Sequence, residues 1–262
     1  MKNKYAIGTV VGAALLGLAK TSLLGSKNDG VTVDSVEELL RYANDPNLAP
    51  LVTEVDLTYK NLRTIPPEIG NLTNLKKLYL DDNQLRTLPP EIGNLTNLEW
   101  LQLPYNQLTT LPPQIGNLKK LESLRSESNQ LTTLPPEIGN LTNLEELDLT
   151  NNKLRTIPPE IGNLKNLTWL YLNHNQLTTI PPKIGNLKNL KTLYLNHNQL
   201  TTLPPEISNL NNLDILHLSD NPKFYMNPEE LLQLILNGAD KEIQRDIVRA
   251  NKIPTISNVR LR

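Results

Sequence analysis

The chain has 262 residues, with 26 basic and 27 acidic side chains and a formal net charge of −1. This balance gives no indication of a polyanionic partner such as nucleic acid. The chain contains no cysteine, which excludes disulfide bonds, thiolate zinc sites and a cysteine nucleophile, and no G-x-x-x-x-G-K-[ST] loop for nucleotide phosphates.

The first 30 residues have the composition of a targeting segment. Residues 1–4 include two lysines, residues 5–19 are mostly apolar, and Lys20 interrupts the apolar run. A basic start followed by a short apolar stretch is typical of a secretory signal, and the stretch is short for a membrane span. We therefore predict export, or anchoring in a membrane through residues 5–24, and the pattern is compatible with either cleavage or retention. Residence in the cytoplasm, with this segment docked as a helix on the domain, is the alternative.

Residues 31–51 are predicted to form an N-terminal helical cap. The capping-box spacing occurs twice, with Asp34 and Ser35 as the two candidate N-cap residues. The following residues place an apolar stripe on one side of the predicted helix: Val36, Leu39, Leu40 and Ala43. Pro46 ends the helix before the next element begins.

A 23-residue unit is repeated without a gap over residues 52–224, as seven full copies and a partial eighth. Positions are counted from the residue that opens each copy, which is Leu75 in the second copy. From that copy onward, position 9 is always asparagine: Asn83, Asn106, Asn129, Asn152, Asn175, Asn198 and Asn221. Self-similarity at such a period indicates a solenoid, in which each unit packs on its neighbours. A solenoid favours an extended binding surface over a single catalytic pocket.

Each unit combines a strand pattern with a double proline. Apolar and polar residues alternate over residues 76–81, as in a strand with one buried face. Pro89 and Pro90 remove two amide donors and disfavour a helix, so the return path is predicted to be extended or 3₁₀-like. Leucine or isoleucine at positions 1, 4, 6, 11, 14, 18 and 21 is predicted to fill a continuous core. The position-9 asparagine must find hydrogen-bond partners there.

One copy departs from this pattern at position 6. Leucine occupies that position in the other copies, whereas the fourth copy has Ser126. A serine in a layer of leucines is expected to leave either a gap or an unsatisfied hydroxyl group.

The full unit, L-x-x-L-x-L-x-x-N-x-L-x-x-[LI]-P-P-x-I-x-N-L-x-x, resembles the leucine-rich repeat family. Its second half is similar to the 23-residue class of Ras-suppressor-type and bacterial leucine-rich proteins. The resemblance implies an α/β architecture, a right-handed leucine-rich-repeat solenoid with a concave parallel β-sheet and short irregular convex segments. Together with the caps predicted from the residues, the solenoid would have helical caps at both ends. It also implies a ladder of asparagine hydrogen bonds to the backbone of adjoining turns.

Residues 225–262 are predicted to form a C-terminal helical cap and tail. Pro228 suits the start of a helix and Gly238 its end, and a second helix is predicted at about residues 240–250. Such a cap would cover the last core layer, which a bare terminal repeat exposes.

The residues that the fold does not require lie at positions 3, 5, 7 and 8, on the exposed face of the predicted sheet or its rim. Aromatic residues are 4% of the chain, yet these columns hold both tryptophans, all three histidines and five of the eight tyrosines. Exposed aromatic side chains with a polar tip are typical of protein-binding hot spots, although tyrosine also suits strands. The predicted partner-binding residues are Tyr79, Trp100, Tyr105, Arg125, Glu127, Asp148, Trp169, Tyr171, His174, Tyr194, His197 and His217.

His174, His197 and Asp220 occupy one column on adjacent copies, where imidazole and carboxylate groups could bind a transition metal. The two histidines lie in nearly duplicated N-H-N-Q-L-T-T segments, so duplication explains their alignment equally well. We therefore predict neither a metal site nor a cofactor.

No nucleophile, base and orienting group converge in the sequence, so we predict no enzymatic activity. The predicted function is a non-catalytic scaffold that binds another protein on the concave, aromatic-bearing face. A glycan or cell-wall binding module using the same aromatic residues is the alternative, because stacked rings on a rigid face also suit sugars.

Overall fold

The computed structural model describes residues 30–225. The chain divides into two compact units, residues 1–30 and 31–262, and the repeats belong to the second. The predicted targeting segment and nearly all of the predicted C-terminal cap lie outside the described residues. Within the described range, no helix has both the length and the apolar character needed to cross a membrane.

Nine parallel strands form one sheet in which each strand lies beside the next one in sequence. From β2 onward every pair keeps the same 23-residue offset, as in Lys77 beside Trp100 and Ser123 beside Glu146. The predicted α/β solenoid with a parallel sheet is confirmed. The strands are β1 Val31–Val33, β2 Val52–Asp56, β3 Lys77–Tyr79, β4 Trp100–Gln102, β5 Ser123–Arg125, β6 Glu146–Asp148, β7 Trp169–Tyr171, β8 Thr192–Tyr194 and β9 Ile215–His217.

The return path of each repeat contains a short 3₁₀ segment that begins at the second proline, as the double proline predicts. In the second copy, Pro89 is extended at φ −67° and ψ 145°, and Pro90 opens the 3₁₀ segment, where its missing amide costs nothing. These segments are Pro67–Asn71, Pro90–Asn94, Pro113–Asn117, Pro136–Asn140, Pro159–Asn163, Pro182–Asn186 and Pro205–Asn209.

The predicted inward positions form one continuous hydrophobic core between the strands and the 3₁₀ segments. Most of their leucine and isoleucine side chains are fully buried, and the two that are only partly buried are Leu62 in the first copy and Leu213 in the last. Burial of one such side chain contributes about 1.5–3 kcal/mol.

The position-9 asparagines form the expected ladder. The amide group of Asn106 donates to the carbonyl oxygens of Leu80, Leu103 and Pro104, at 2.9, 3.1 and 3.2 Å. Its Oδ1 accepts the backbone N–H of Leu85 at 3.0 Å. One side chain therefore joins two successive turns through both its donors and its acceptor. The same four contacts recur, within a few tenths of an ångström, at the other asparagines.

The N-terminal cap contains a helix, α1, at Val36–Ala43. Of the two predicted N-cap residues, Ser35 takes the role, and its Oγ accepts the backbone N–H of Glu38 at 3.2 Å. Leu39 is fully buried against the repeats, and a short 3₁₀ segment, Ala49–Leu51, leads into β2. The edge strand β1 was not predicted, because three residues are too few to establish a period.

Adjacent 3₁₀ segments approach each other closely at a glycine that recurs every 23 residues. A Cβ atom on Gly139 would lie 2.4 Å from the carbonyl oxygen of Glu160, and the same conflict arises at five other copies. The equivalent residue of the last full copy is Ser208, whose hydroxyl donates to the carbonyl oxygen of Pro205 at 2.8 Å. Over the described residues, glycine is thus required in each copy whose 3₁₀ segment packs against the 3₁₀ segment of the following copy.

Ser126 is fully buried, as expected, but its hydroxyl group is not unsatisfied. Its Oγ accepts a long hydrogen bond of 3.4 Å from the side-chain amide of Asn129. The expectation of an unsatisfied hydroxyl is therefore wrong, because the asparagine ladder passes within reach of position 6.

We expect Gly139→Ala to lower the free energy of unfolding by about 1–3 kcal/mol, because the added methyl group overlaps a backbone oxygen that cannot move freely. Urea unfolding measures the change. Ser208→Ala is the matched control and should change stability by less than about 0.5 kcal/mol. Equal stability of wild type and Gly139→Ala would show that the 3₁₀ segments can separate without cost.

We expect Ser126→Leu to raise the free energy of unfolding by about 1–2 kcal/mol, because a leucine at this position is fully buried in the other copies. The gain is smaller than that of a full leucine burial, since the bond to Asn129 is lost. Thermal and urea unfolding test this. A lower unfolding midpoint would mean that neighbouring side chains already fill the layer.

Candidate functional site

Outward-facing side chains of the sheet lie in straight rows across the strands, because the register is constant. In the position-3 row, Trp100, Ser123, Glu146 and Trp169 are successive neighbours on β4, β5, β6 and β7. Both tryptophan side chains are 39% exposed, among the largest exposed hydrophobic groups of the described residues. Two smaller, polar residues therefore separate two large rings in one row.

An open pocket of about 350 Å³ lies between the two tryptophans. Three strand spacings, about 14 Å, separate the backbones that carry the rings. Ser123 has a short side chain, which leaves space between the two rings. Its Oγ donates a hydrogen bond to Oε2 of Glu146 at 3.0 Å. The pocket is lined by Trp100, Gln102, Glu122, Ser123, Arg125, Glu145, Glu146 and Trp169.

Arg125 and Glu127 form a close, half-buried ion pair beside the pocket. Nη2 of Arg125 donates to Oε1 of Glu127 at 2.5 Å. Two further polar atoms of the pair, Nε of Arg125 and Oε2 of Glu127, are buried and have no hydrogen-bond partner. Buried polar atoms without a partner are uncommon and destabilising. Here they leave hydrogen-bonding capacity unused at the centre of the sheet.

The electrostatics of this pair are dominated by burial. Burial raises the pKa of Glu127 and outweighs the attraction of the Arg125 guanidinium, which lowers it. Burial also lowers the pKa of Arg125, but Glu127, Asp148 and Glu146 together outweigh it and raise that pKa further. Arg125 therefore remains charged, and three carboxylates surround it.

The predicted aromatic residues form a contiguous cluster only toward the C-terminal end. The rings of Tyr171 and Tyr194 meet edge to face, 5.2 Å apart, and Tyr194 and His217 do the same at 4.5 Å. Burial raises the pKa of Tyr171 and also that of Tyr79. Among the described residues Tyr79 makes no ring contact with Trp100, so these two predicted binding residues do not stack on each other.

The rim column at position 8 has an unusual backbone. His174 and His197 have φ of 55° and 53°, and Tyr105 has 53°. These are left-handed conformations that side chains other than glycine rarely adopt. The rim location of this column was predicted from the sequence, but its left-handed backbone was not. Asparagine and aspartate at the same position, such as Asn151 and Asp220, indicate such a backbone, since both tolerate this region.

The two histidine rings on the rim are stacked on each other. The rings of His174 and His197 lie 4.1 Å apart and nearly parallel, and Nε2 of His197 is 3.4 Å from Oδ2 of Asp220. Over residues 30–225 no group of three or more histidine, cysteine, aspartate or glutamate side chains is arranged to hold a metal ion.

The structure thus places Trp100, Trp169 and Arg125 at one pocket, with Glu127 and Asp148 beside it. Tyr105, His174 and His197 lie on the rim, and Tyr79 lies on β3, outside the pocket lining. Two residues of the pocket lining, Glu122 and Glu145, were not predicted from the sequence. They belong to position 2, next to the tryptophan row, where glutamate occurs in three successive copies: Glu99, Glu122 and Glu145.

Two family models match the sequence. One described as a leucine-rich repeat region covers residues 63–170, and one described as leucine rich repeat covers residues 165–222. No curated protein matches.

Several solved structures are similar. A leucine-rich repeat protein of Leptospira interrogans is 38% identical with a TM-score of 0.53, over 79% of this chain and 62% of that one. An internalin of Listeria monocytogenes is 29% identical with a TM-score of 0.57, over 72% and 53%. The ectodomain of an Arabidopsis thaliana membrane receptor kinase, in complex with Casparian strip integrity factor 2, is 30% identical with a TM-score of 0.58, over 78% and 27%. The chain therefore spans less than two thirds of each.

The raised pKa of Glu127 has a consequence for stability. The folded protein holds this proton at pH values where the unfolded chain, near the ordinary value of 4.5, has lost it. The contribution is therefore present below 4.5 and lost as the pH rises through the folded pKa. We expect the stability of the wild type, relative to Glu127→Gln, to fall as the pH rises from 4.5 through the folded pKa of Glu127. Urea unfolding of both proteins measures it, and a rise would show that Arg125 dominates.

Proposed function

The chain belongs to the leucine-rich repeat family, and on that premise we propose that it is a non-catalytic scaffold that binds another protein on the exposed face of its sheet. The observation that carries the proposal is the pocket between Trp100 and Trp169, with the half-satisfied Arg125 and Glu127 pair beside it.

Rigid strands hold both tryptophans at the centre of the face. Each ring is partly covered by its neighbours and keeps 39% of its surface exposed. Tryptophan and arginine are the residues most enriched among binding hot spots, where they are fixed in place before the partner arrives.

The related structures support a protein or peptide partner. The plant receptor kinase ectodomain described above is in complex with Casparian strip integrity factor 2. A plant peptide hormone receptor, RGFR1, is 32% identical over 73% of this chain and is in complex with RGF2. Neither structure identifies the partner of this chain.

A glycan or cell-wall ligand remains the second candidate function, because of the C-terminal aromatic cluster. Tyr171, Tyr194 and His217 are successive neighbours on β7 to β9, and their rings are in edge-to-face contact. Aromatic platforms also bind sugars by stacking. Binding that depends on these three rings and not on the two tryptophans would favour the glycan.

We expect Trp100→Ala and Trp169→Ala each to weaken partner binding by about 2 kcal/mol or more. The partner is first captured with residues 31–262 as bait, and its dissociation constant is then measured by calorimetry. Because each ring is only partly covered, the free energy of unfolding should fall by no more than about 1 kcal/mol.

Glu91→Ala and Lys183→Ala on the 3₁₀ segments are the controls for this experiment, and should leave binding nearly unchanged. If these two changes abolished binding while both tryptophan changes were silent, the binding face would lie on the opposite side of the solenoid.

We further propose that residues 1–26 direct the protein out of the cytosol or into a membrane, as the basic and apolar composition of this segment indicates. A C-terminally tagged full-length protein should then fractionate with membranes or outside the cytosol. The same protein lacking residues 1–26 should be soluble and folded, because the structured repeat unit begins at residue 31. Recovery of the full-length protein entirely in the cytosol would refute the proposal.

A further inference from the structure

We propose that the pocket between Trp100 and Trp169 recognises the cationic side chains of a basic segment on the partner protein. The inference deepens the proposed function, on which it rests, by naming the chemistry of the partner. It is carried by the charges that line the pocket, by the aromatic rings at its ends, and by the dimensions of the space between them.

The pocket carries uncompensated negative charge. Its lining includes the three carboxylates Glu122, Glu145 and Glu146, and only one cation, Arg125. That cation is already engaged by Glu127 at 2.5 Å. Over residues 30–225 none of the three lining carboxylates has an ion-pair partner, and Glu146 accepts only the neutral hydroxyl of Ser123. A cationic partner would supply the charge that the pocket lacks.

The tryptophans at the ends of the pocket suit the same type of side chain. Nζ of Lys77, on the strand before Trp100, already lies 4.8 Å from the centroid of that ring. The pocket lies on the other side of Trp100, over β5 and β6, and Trp169 closes it at the far end. Cations are attracted to the face of an indole ring, more so where water is excluded.

The dimensions favour long side chains over a metal ion or an apolar group. The backbones of neighbouring strands, which carry the carboxylates, are about 4.8 Å apart, and the tryptophan-bearing strands are about 14 Å apart. A lysine or arginine can lay its aliphatic stem along a ring and extend its charged head to a carboxylate. An apolar group would instead remove three carboxylates from water without pairing them, which is unfavourable.

The test uses the intrinsic fluorescence of the full-length protein, because both tryptophans of the chain line this pocket. The probe is the peptide acetyl-Gly-Arg-Gly-Arg-Gly-amide, whose arginines lie about two strand residues apart, roughly 6.7 Å. The matched peptide carries citrulline, a neutral analogue of nearly the same shape, at both positions. We expect a saturable change in emission with the arginine peptide at low salt, and at least tenfold weaker binding of the citrulline peptide.

Two double variants identify the carboxylates. Glu122→Gln with Glu145→Gln should weaken binding of the arginine peptide about fivefold or more, as expected for the loss of two exposed ion pairs. Glu91→Gln with Glu137→Gln removes the same charge from two 3₁₀ segments and should leave binding unchanged. Circular dichroism checks that both variants are folded. The binding of the arginine peptide should also weaken as the salt concentration rises.

Three results would each overturn the inference: no saturable response to the arginine peptide, equal binding of the citrulline peptide, or equal effects of the two double variants. None of these touches the proposed function, which depends on whether Trp100→Ala and Trp169→Ala weaken binding of the captured partner. If those variants bind the partner normally while the arginine peptide still binds in the pocket, the proposed function fails and the cation site stands.

Discussion

The hydrogen-bonding capacity of a buried asparagine amide is the constraint on which the rest of this structure depends. A side chain with two donor hydrogens and one acceptor oxygen cannot remain unpaired inside a core of leucine. Over the described residues it is satisfied by carbonyl and N–H groups of two successive turns, as at Asn106. The requirement fixes where each turn lies relative to the one before, so neighbouring strands take the same register throughout the repeats.

A constant register determines what the exposed face can be. Residues at equivalent positions become direct neighbours, so the side chains of the face are arranged in rows that run across the copies. A pocket forms in the row with Trp100 and Trp169 because Ser123 between them is short. The adjoining row of glutamates at position 2 gives that pocket its charge. The core supplies no part of this chemistry. It supplies only the spacing, and beside the pocket two buried atoms of the ion pair, Nε of Arg125 and Oε2 of Glu127, have no hydrogen-bond partner.

The parts of the fold that could be predicted from sequence are those that a single residue type enforces. Alternating leucines predicted strands, paired prolines predicted an extended or 3₁₀-like return path, and resemblance to the leucine-rich repeat family implied the asparagine ladder. All three are present. The strand β1 has too few residues for a period, and the left-handed backbone at His174 depends on how each strand ends, not on the residue itself. At the site, the columns were predictable but the pocket was not. Its shape depends on which side chains are short and how far the rings extend. Its acidic side includes residues at position 2, which the alternation of the strand does not place on the exposed face.

The fixed register also has an evolutionary consequence for the size of the ligand. Trp100 and Trp169 lie on β4 and β7, with two complete strands between them. Duplication or loss of a whole 23-residue unit between them would preserve every layer of the interior and every asparagine bond. It would, however, move the two rings apart or together by one strand spacing, about 4.8 Å. The width of such a site can therefore change only in discrete steps, so repeat number gives this architecture a means of adapting to longer or shorter partners by recombination and not by gradual substitution.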